Sequence, residues 1–555
     1  MLRDKAGAPR EIPWVAISVA CAALLFACTQ SRNHGEAEDV LGYARTLASG
    51  SAQEVFHPNH LAFISLGRAA RAALNPLGLG ASPIFVLQLL NTIAGAVTIG
   101  FFVCSGLRSG WGGRLSWLMA ALLTVAYGFW FYSVEGETYV LPLPLLWLTY
   151  SSAWEHAERS DTQRLFYVGL WGGLTTLLHQ QHVLSCALVI GWCTFQLVRQ
   201  GRPFQKPLLV ALATSGLIVG VAYVGIGAGL LEHHGWGELI TWAKGHARGG
   251  MWTPFSLASP VKAIVGFTKA IFGLHFLFSF DSFVGPMQKA FPTKILLEEQ
   301  FLAAHISRPQ VLLAALGTLS AGLASLYLFF QLARGARADS APASPALQAA
   351  QSSGLLLTAF GFYATFNTLW EPQNIEFWIA PLLFLAGLLG NAIARLGATS
   401  PLINRRLMLT TQVLVASLFV SNLLGSILPQ TTSSTDYWYT TNSYLFKNAK
   451  KGDLIVTECG HICNGYLRYH TPATTIRLSK VSADELGSAL AAADGDIYVS
   501  SWALSPPLAI ERSGQLKGWE REQSQRLLES YRSRMVEVSD GQQKVWRLSL
   551  ARATN

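Results

Sequence analysis

Apolar stretches of roughly 18 to 25 residues recur along the first three-quarters of the chain, each long enough to cross a bilayer as a helix. Hydrocarbon offers no water to backbone amides, so repeated stretches of this length commit the chain to a bundle of helices. They lie near 12–30, 82–104, 114–133, 138–154, 165–181, 183–199, 208–230, 310–333, 352–370, 375–394 and 407–428. The pattern predicts an α-helical polytopic membrane protein with about eleven transmembrane helices. Composition agrees: only 13% of the residues are charged, against about 25% in a typical soluble domain. The first stretch, with Arg3 and Lys5 before it and Leu25-Phe26-Ala27-Cys28 at its end, loosely resembles a lipoprotein signal. Cleavage there would remove the anchor that orients everything downstream, so an uncleaved span is expected.

The net charge of +9 does not point to nucleic acid. Its basic residues sit largely in short connectors, and no arginine-rich run is interleaved with aromatics. Arg108, Arg114, Arg159, Arg164, Arg199, Arg202, Lys206, Arg334, Arg337, Arg395, Arg405 and Arg406 all fall on one side if every stretch crosses. The positive-inside rule makes that side cytoplasmic, together with the N-terminus and its Arg3, Lys5 and Arg10. The expected location is the cell inner (cytoplasmic) membrane, with the C-terminal region periplasmic.

The exported side then holds 31–81, the turn Glu135-Gly136-Glu137, the turn His179-Gln180-Gln181-His182, 231–309, the turn Trp370-Glu371-Pro372-Gln373-Asn374 and everything after about 429. Almost every unusual polar cluster is therefore on one face. In the first loop Val40, Leu41, Ala44, Leu47 and Ala48 share one helical face, and Leu61, Ile64, Gly67 and Ala70 share another. Both read as amphipathic helices lying in the interface. A third element near 261–280 places Lys262 and Lys269 beside Phe267, Phe272 and Phe276; were it to cross, the downstream topology would flip.

Residues 1–429 form the membrane domain and 430–555 a small α/β domain. In the latter, Leu454–Thr457, Asp496–Ser500 and Val545–Leu550 read as strands, and Ser482-Ala-Asp-Glu485 as a capping box. Asp540-Gly541 marks a hairpin turn between Met535–Val538 and Lys544–Leu548. No phosphate-binding glycine fingerprint accompanies the strands, so no cofactor is assigned. Cys459 and Cys463 could form a disulfide in an exported segment or remain two thiols, and they are too few for a zinc site. The other five cysteines lie in apolar spans as small hydrophobes.

A carboxylate at the exported surface can take a proton from an acceptor hydroxyl. Asp39, with Glu38 as its rival, is the candidate base; His57, His60, Arg45 and Lys269 are candidates for a phosphate leaving group. The competing reading is that these acids only favour a helix N-terminus through its dipole. Glu135 and Glu137 occupy a turn too short to need two acids for solubility. His179 and His182 are spaced as a structural pair as readily as a site, and no metal ligand set is assigned. The acidic cluster alone is weak support for a divalent metal. Gln88 and Asn91, one turn apart inside the second span, read as helix-to-helix glue.

The acidic cluster after the first span, His57-Pro58 on an interfacial helix, and Gly136-Glu137-Thr138-Tyr139 together resemble bacterial relatives of the protein O-mannosyltransferases. The segment Trp370-Glu371-Pro372-Gln373-Asn374-Ile375-Glu376-Phe377-Trp378 resembles a motif of the same broad group. The resemblance spans roughly 10–430 and implies a GT-C-like membrane glycosyltransferase using a polyprenyl-phosphate-linked sugar donor. It implies a catalytic role for Asp39 or Glu38, with Glu137, His57, His60, Trp370, Glu371, Asn374 and Glu376 lining one exported cavity. The cluster reads Glu-Ala-Glu-Asp where a clean paired motif would be expected, which leaves the identity of the base open. A glycan, a lipid or a protein hydroxyl could accept the sugar. A transporter or flippase is the principal alternative, although its polar residues would be expected near the midplane. A non-catalytic assembly or sensor protein is the third reading.

Overall fold

A computed structural model describes residues 12–80, 82–154, 160–245, 255–290, 296–336, 345–505, 518–539 and 544–549. The Asp540-Gly541 turn and Arg3, Lys5, Arg10, Arg159 and Arg337 lie outside the described residues. The chain divides into two compact units, the first made of 1–30, 46–274 and 312–428, the second of 31–45, 275–311 and 429–555.

The first unit is helical. Its elements are α1 (Ile12–Cys28), α2 (Val40–Ser49, whose residues up to Arg45 belong to the second unit), α3 (Phe63–Leu74), α4 (Pro83–Arg108), α5 (Gly113–Val125), α6 (Tyr127–Ser133) and α7 (Leu143–Ser151). There follow α8 (Asp161–Leu178), α9 (Val183–Arg199), α10 (Gln205–Gly229), α11 (Ser259–Phe272), α12 (Arg308–Ala336), α13 (Pro345–Leu369), α14 (Ile379–Thr399) and α15 (Pro401–Asn422). Among the described residues six helices are long and apolar enough to cross a membrane, or seven if α5 and α6 count as one bent span. The chain is thus a multi-pass membrane protein.

Two expected spans take a different form. The stretch 114–133 breaks at Ala126, where α6 turns 72° away from α5. Such a bend frees backbone carbonyls, and an unsatisfied carbonyl is costly in hydrocarbon. Asn422 at the end of α15 answers that cost, donating from Nδ2 to Val125 O and to Ile271 O, both at 2.8 Å. In the stretch 138–154 only the nine residues of α7 are α-helical, because Pro142 and Pro144 confine the helix to starting beside them. Helix-to-helix amide bonding is found at Asn391, which accepts from Trp111 Nε1 at 2.9 Å and donates to Ser352 Oγ at 3.1 Å.

The second unit is built on a five-stranded sheet. Its strands are β1 (Leu454–Thr457), β2 (Thr474–Arg477), β3 (Ile497–Ser500), β4 (Met535–Glu537) and β5 (Val545–Leu548), in the order β2-β1-β3-β5-β4. β1 pairs in parallel with β2 and β3, while β5 runs antiparallel to both β3 and β4. The longer helices that follow the first strand are α16 (Gly460–His470), α17 (Ala483–Ala491) and α18 (Gly518–Ser530). Leu454, Val456, Leu478, Leu486, Leu490, Val499, Leu528 and Leu548 form the core. The capping box forms as expected: Ser482 accepts from Glu485 N, and Glu485 reaches back to Ser482 N at 2.7 Å.

Candidate functional site

In the membrane unit the two acids Glu135 and Glu137 are buried, at 0% and 2% exposure. The turn that carries them is held from α4. Asn91 Nδ2 donates to Glu135 O and Glu137 O, both at 2.6 Å, Gln88 Nε2 to Val134 O at 3.0 Å, and Thr92 Oγ1 to Ser133 O at 3.0 Å. Gln30 Nε2 extends the chain of bonds to Thr92 Oγ1 at 2.8 Å. The bonds of Gln88 and Asn91, expected as helix-to-helix glue, run from α4 to the turn after α6. They satisfy the carbonyls of a buried non-helical turn, whose polar groups would be costly without such partners.

The late segment lies in the same unit. Glu376 accepts from Tyr139 OH at 2.9 Å and from Tyr132 OH at 3.3 Å, and Asn374 Nδ2 bonds Glu371 and reaches Glu376 at 3.4 Å. Trp378 Nε1 donates to Pro372 O at 3.0 Å and fixes the turn. Against it packs α11, so closely that a Cβ on Gly266 would stand 2.8 Å from Trp378 Nε1. The phenol ring of Tyr139 meets His179 at 5.2 Å and Phe377 at 5.7 Å between centroids. The structure thus joins Glu376, Tyr139 and His179 in one cluster of acid, phenol and imidazole. Trp370 follows at the end of α13, stacked on Phe366.

The remaining expected residues of this unit lie in other turns and helices. His57 accepts from Asn59 N at 3.3 Å and stacks on the buried His60 at 4.8 Å, forming a closed turn. Tyr223 OH of α10 donates to Pro58 O at 2.5 Å. His182 Nδ1 bonds Tyr363 OH at 2.7 Å inside the bundle. Lys269 lies in the last turn of α11.

In the second unit the segment 31–39 is fastened to residues just before the sheet. Arg32 N and Asn33 N donate to Gln430 O at 2.8 and 3.1 Å, and Asn33 Nδ2 donates to Thr435 O at 2.8 Å. The buried Asp436 accepts from His34 N at 3.0 Å, Tyr439 N at 2.9 Å and Tyr466 OH at 2.5 Å. Burial pushes its carboxyl up, and these donors oppose the rise. Glu36 meets the buried His275 Nε2 at 2.9 Å and Gln430 Nε2 at 3.4 Å.

Asp39 immediately precedes α2, its carbonyl accepting from Tyr43 N at 2.9 Å. Its carboxylate is 49% exposed, with Tyr43 OH at 3.4 Å from Oδ2 and His461 Nε2 at 3.5 Å from Oδ1. Glu38 is exposed, and Arg45 lies half-buried on α2. Cys459 and Cys463 form a disulfide, which resolves the alternative left open above. Among the described residues no group of three or more His, Cys, Asp or Glu could hold a metal ion.

Sequence reasoning missed Glu36, His275, Gln430, Asp436 and His461 as one neighbourhood. Their partners are 239 to 422 residues apart in the chain, beyond the reach of any local pattern. Tyr139 was within reach, because it ends the Gly136–Tyr139 motif.

The chain is similar in structure to ArnT from Cupriavidus metallidurans. The ArnT structure bound to undecaprenyl phosphate matches with a TM-score of 0.55 at 12% identity, covering 96% of this chain and 98% of that one. The apo state matches with a TM-score of 0.54 at 11% identity, covering 97% and 98%. No protein-family model and no curated protein matches the chain. At this identity the likeness gives the fold: the expected GT-C-like membrane architecture with its small sheet, over nearly the full length. It carries no kinship to the protein O-mannosyltransferases.

Proposed function

We propose that this protein is a membrane glycosyltransferase that moves a sugar from a polyprenyl-phosphate-linked donor to an acceptor hydroxyl on the extracytoplasmic face. The observation that carries the reading is a fold shared, end to end, with a protein solved with undecaprenyl phosphate bound. The topology that accompanies it has about eleven crossings, a cytoplasmic N-terminus and an exported sheet domain. A lipid-linked donor suits that face, where soluble nucleotide sugars are not supplied.

Asp39 is assigned as the general base. It accepts the proton of the acceptor hydroxyl as the oxygen forms its bond to the anomeric carbon; the bond from that carbon to the phosphate oxygen breaks, and polyprenyl phosphate leaves with the electron pair. Its exposure supports the assignment, since a base must reach the proton it removes. Arg45, Lys269, His57 and His60 are the cationic or donor groups assigned to the developing phosphate charge. Glu376 and Asn374, with Tyr139, are assigned to sugar hydroxyls, and Glu137 to holding the shape of that wall. Trp370, Glu371, His179 and His182 complete the assignment.

The test is reconstitution of the purified full chain with a panel of undecaprenyl-phosphate-linked hexoses and pentoses, reading release of undecaprenyl phosphate in the presence of envelope lipid and glycan acceptors. Turnover with at least one donor is expected. No release with any of them, together with passage of the intact donor across vesicles, would replace the reading with a flippase.

A further inference from the structure

The disulfide between Cys459 and Cys463 closes a ring of five residues in which His461 is the third. That ring sits where β1 ends and α16 begins, at the carboxyl edge of the parallel strands, the edge at which open α/β sheets present functional groups. Several features hold the turn. Gly460 takes a φ of +83°, which lets the chain reverse directly from strand to helix. Glu458, buried beside it, accepts from Ser479 N at 2.7 Å and Ser479 Oγ at 2.9 Å, with Arg477 at 3.6 Å. Thr457 bonds Ser500 Oγ at 2.8 Å across to β3. His461 is 66% exposed and so contributes little to the core, yet it stands inside the disulfide-closed ring. Its ring reaches Asp39 Oδ1 at 3.5 Å, with the Tyr43 hydroxyl on the other oxygen.

We infer that His461 is a positioning residue for Asp39, delivered by a disulfide-closed turn of the C-terminal domain. A carboxylate on a two-torsion side chain rotates freely, and a base gains from having one oxygen fixed while the other faces the acceptor. His461 stands at Oδ1 and Tyr43 at Oδ2, so the two contacts set the rotation of the carboxylate plane, and each oxygen keeps a lone pair for the acceptor. The inference rests on the assignment of Asp39 as base. It also gives the exported domain a part in the reaction. The mutual attraction agrees: the hydrogen bond and charge of Asp39 raise the His461 imidazole above its ordinary value against the cost of its partial burial, with Glu38 adding to the rise and Arg477 opposing it.

The test uses the full chain and the same undecaprenyl-phosphate-linked sugars. His461→Ala is expected to lower kcat about 10-fold with KM for the donor within about 2-fold, because only orientation in the transition state is lost. His461→Gln keeps an N–H donor and is expected to recover to within about 3-fold of wild type. Replacing both cysteines by serine should reproduce part of the His461→Ala loss. In an Asp39→Asn background, His461→Ala should cost nothing further, as expected for two groups acting as one unit. An unchanged kcat in His461→Ala with Asp39→Asn inactive overturns this inference and leaves the base assignment standing. Full turnover in Asp39→Asn overturns the base assignment itself. A substrate-free arm follows the His461 ring titration by NMR of selectively labelled protein. Asp39→Asn should lower its midpoint, and an unmoved midpoint contradicts the pairing.

Discussion

Two acidic segments of this protein look alike in sequence and differ in every physical respect. Glu135 and Glu137 are buried in a turn in which α4 answers the carbonyls of Val134, Glu135 and Glu137, with Asn91 making two of the bonds. Glu38 and Asp39 stand at the start of a helix, exposed or half-exposed, with Tyr43 OH at 3.4 Å and His461 Nε2 at 3.5 Å from the Asp39 carboxylate. The first arrangement spends its polar groups on making a non-helical turn possible inside a bundle. The second leaves a carboxylate accessible. Acids in a short turn between helices are therefore not in themselves a sign of chemistry; what their backbone bonds to decides between the two roles.

The contrast breaks most severely if Asn91 is removed. Asn91→Leu strips donors from two buried carbonyls, each worth about 1–3 kcal/mol when left unsatisfied. The variant should lose several degrees or more in thermal unfolding of the detergent-purified protein, and membrane yield should fall. An unfolding temperature equal to wild type would mean that the turn does not depend on α4.

Tyr139→Phe sharpens the comparison inside the membrane unit. It removes one donor to Glu376 while keeping the ring packed on His179 and Phe377. A loss of about 1–2 kcal/mol in donor or acceptor recognition is expected, read as a KM increase of about 5- to 30-fold at similar stability. A fall in kcat with KM unchanged would move Glu376 from recognition to the chemical step.

A pH effect distinguishes the second unit. His470 is packed among Phe446, Tyr439, Tyr466 and Tyr469, and burial lowers its imidazole from 6.5 to about 4, with the charge of His34 adding to the fall. The folded state therefore binds this proton less readily than the unfolded chain. Its stabilising contribution is complete above pH 6.5 and is lost as pH falls towards about 4. Asp436 acts in the opposite sense, its raised carboxyl weakening the fold as pH rises through its folded value. His470→Phe should flatten the fall in unfolding temperature between pH 6.5 and 4. An unaltered slope would remove His470 as its source.

The smallest effect is expected at Glu38. It is exposed next to Asp39, and Glu38→Gln should change turnover by less than about 3-fold. A loss larger than that of Asp39→Asn would exchange the two in the base assignment.

The long apolar spans and the α/β character of the tail were legible because hydropathy and alternation are local. The kink at Ala126 was not, since Gly128 beside it is a weak mark and the carbonyl of Val125 is answered by Asn422, 297 residues away. β2 was missed because Thr474–Arg477 is short and polar, with a half-exposed pattern that no alternation betrays. The strands at 535 and 545 were legible, and they pair antiparallel as their spacing suggested. Among the proposed site residues, Asp39, Glu137 and Glu376 were put forward from motif order. His461 was not, because its meaning comes from a partner 422 residues earlier in the chain.

The most direct measurement is undecaprenyl phosphate release by purified wild type and Asp39→Asn from the same lipid-linked donor, with matched folding checked by thermal unfolding. The account predicts turnover by the wild type and a loss of about 10²- to 10⁴-fold in kcat for Asp39→Asn, with an unfolding temperature close to wild type. Full turnover by Asp39→Asn would contradict it, and full turnover by Asp39→Asn combined with Glu38→Gln would remove the acidic segment from the chemistry altogether.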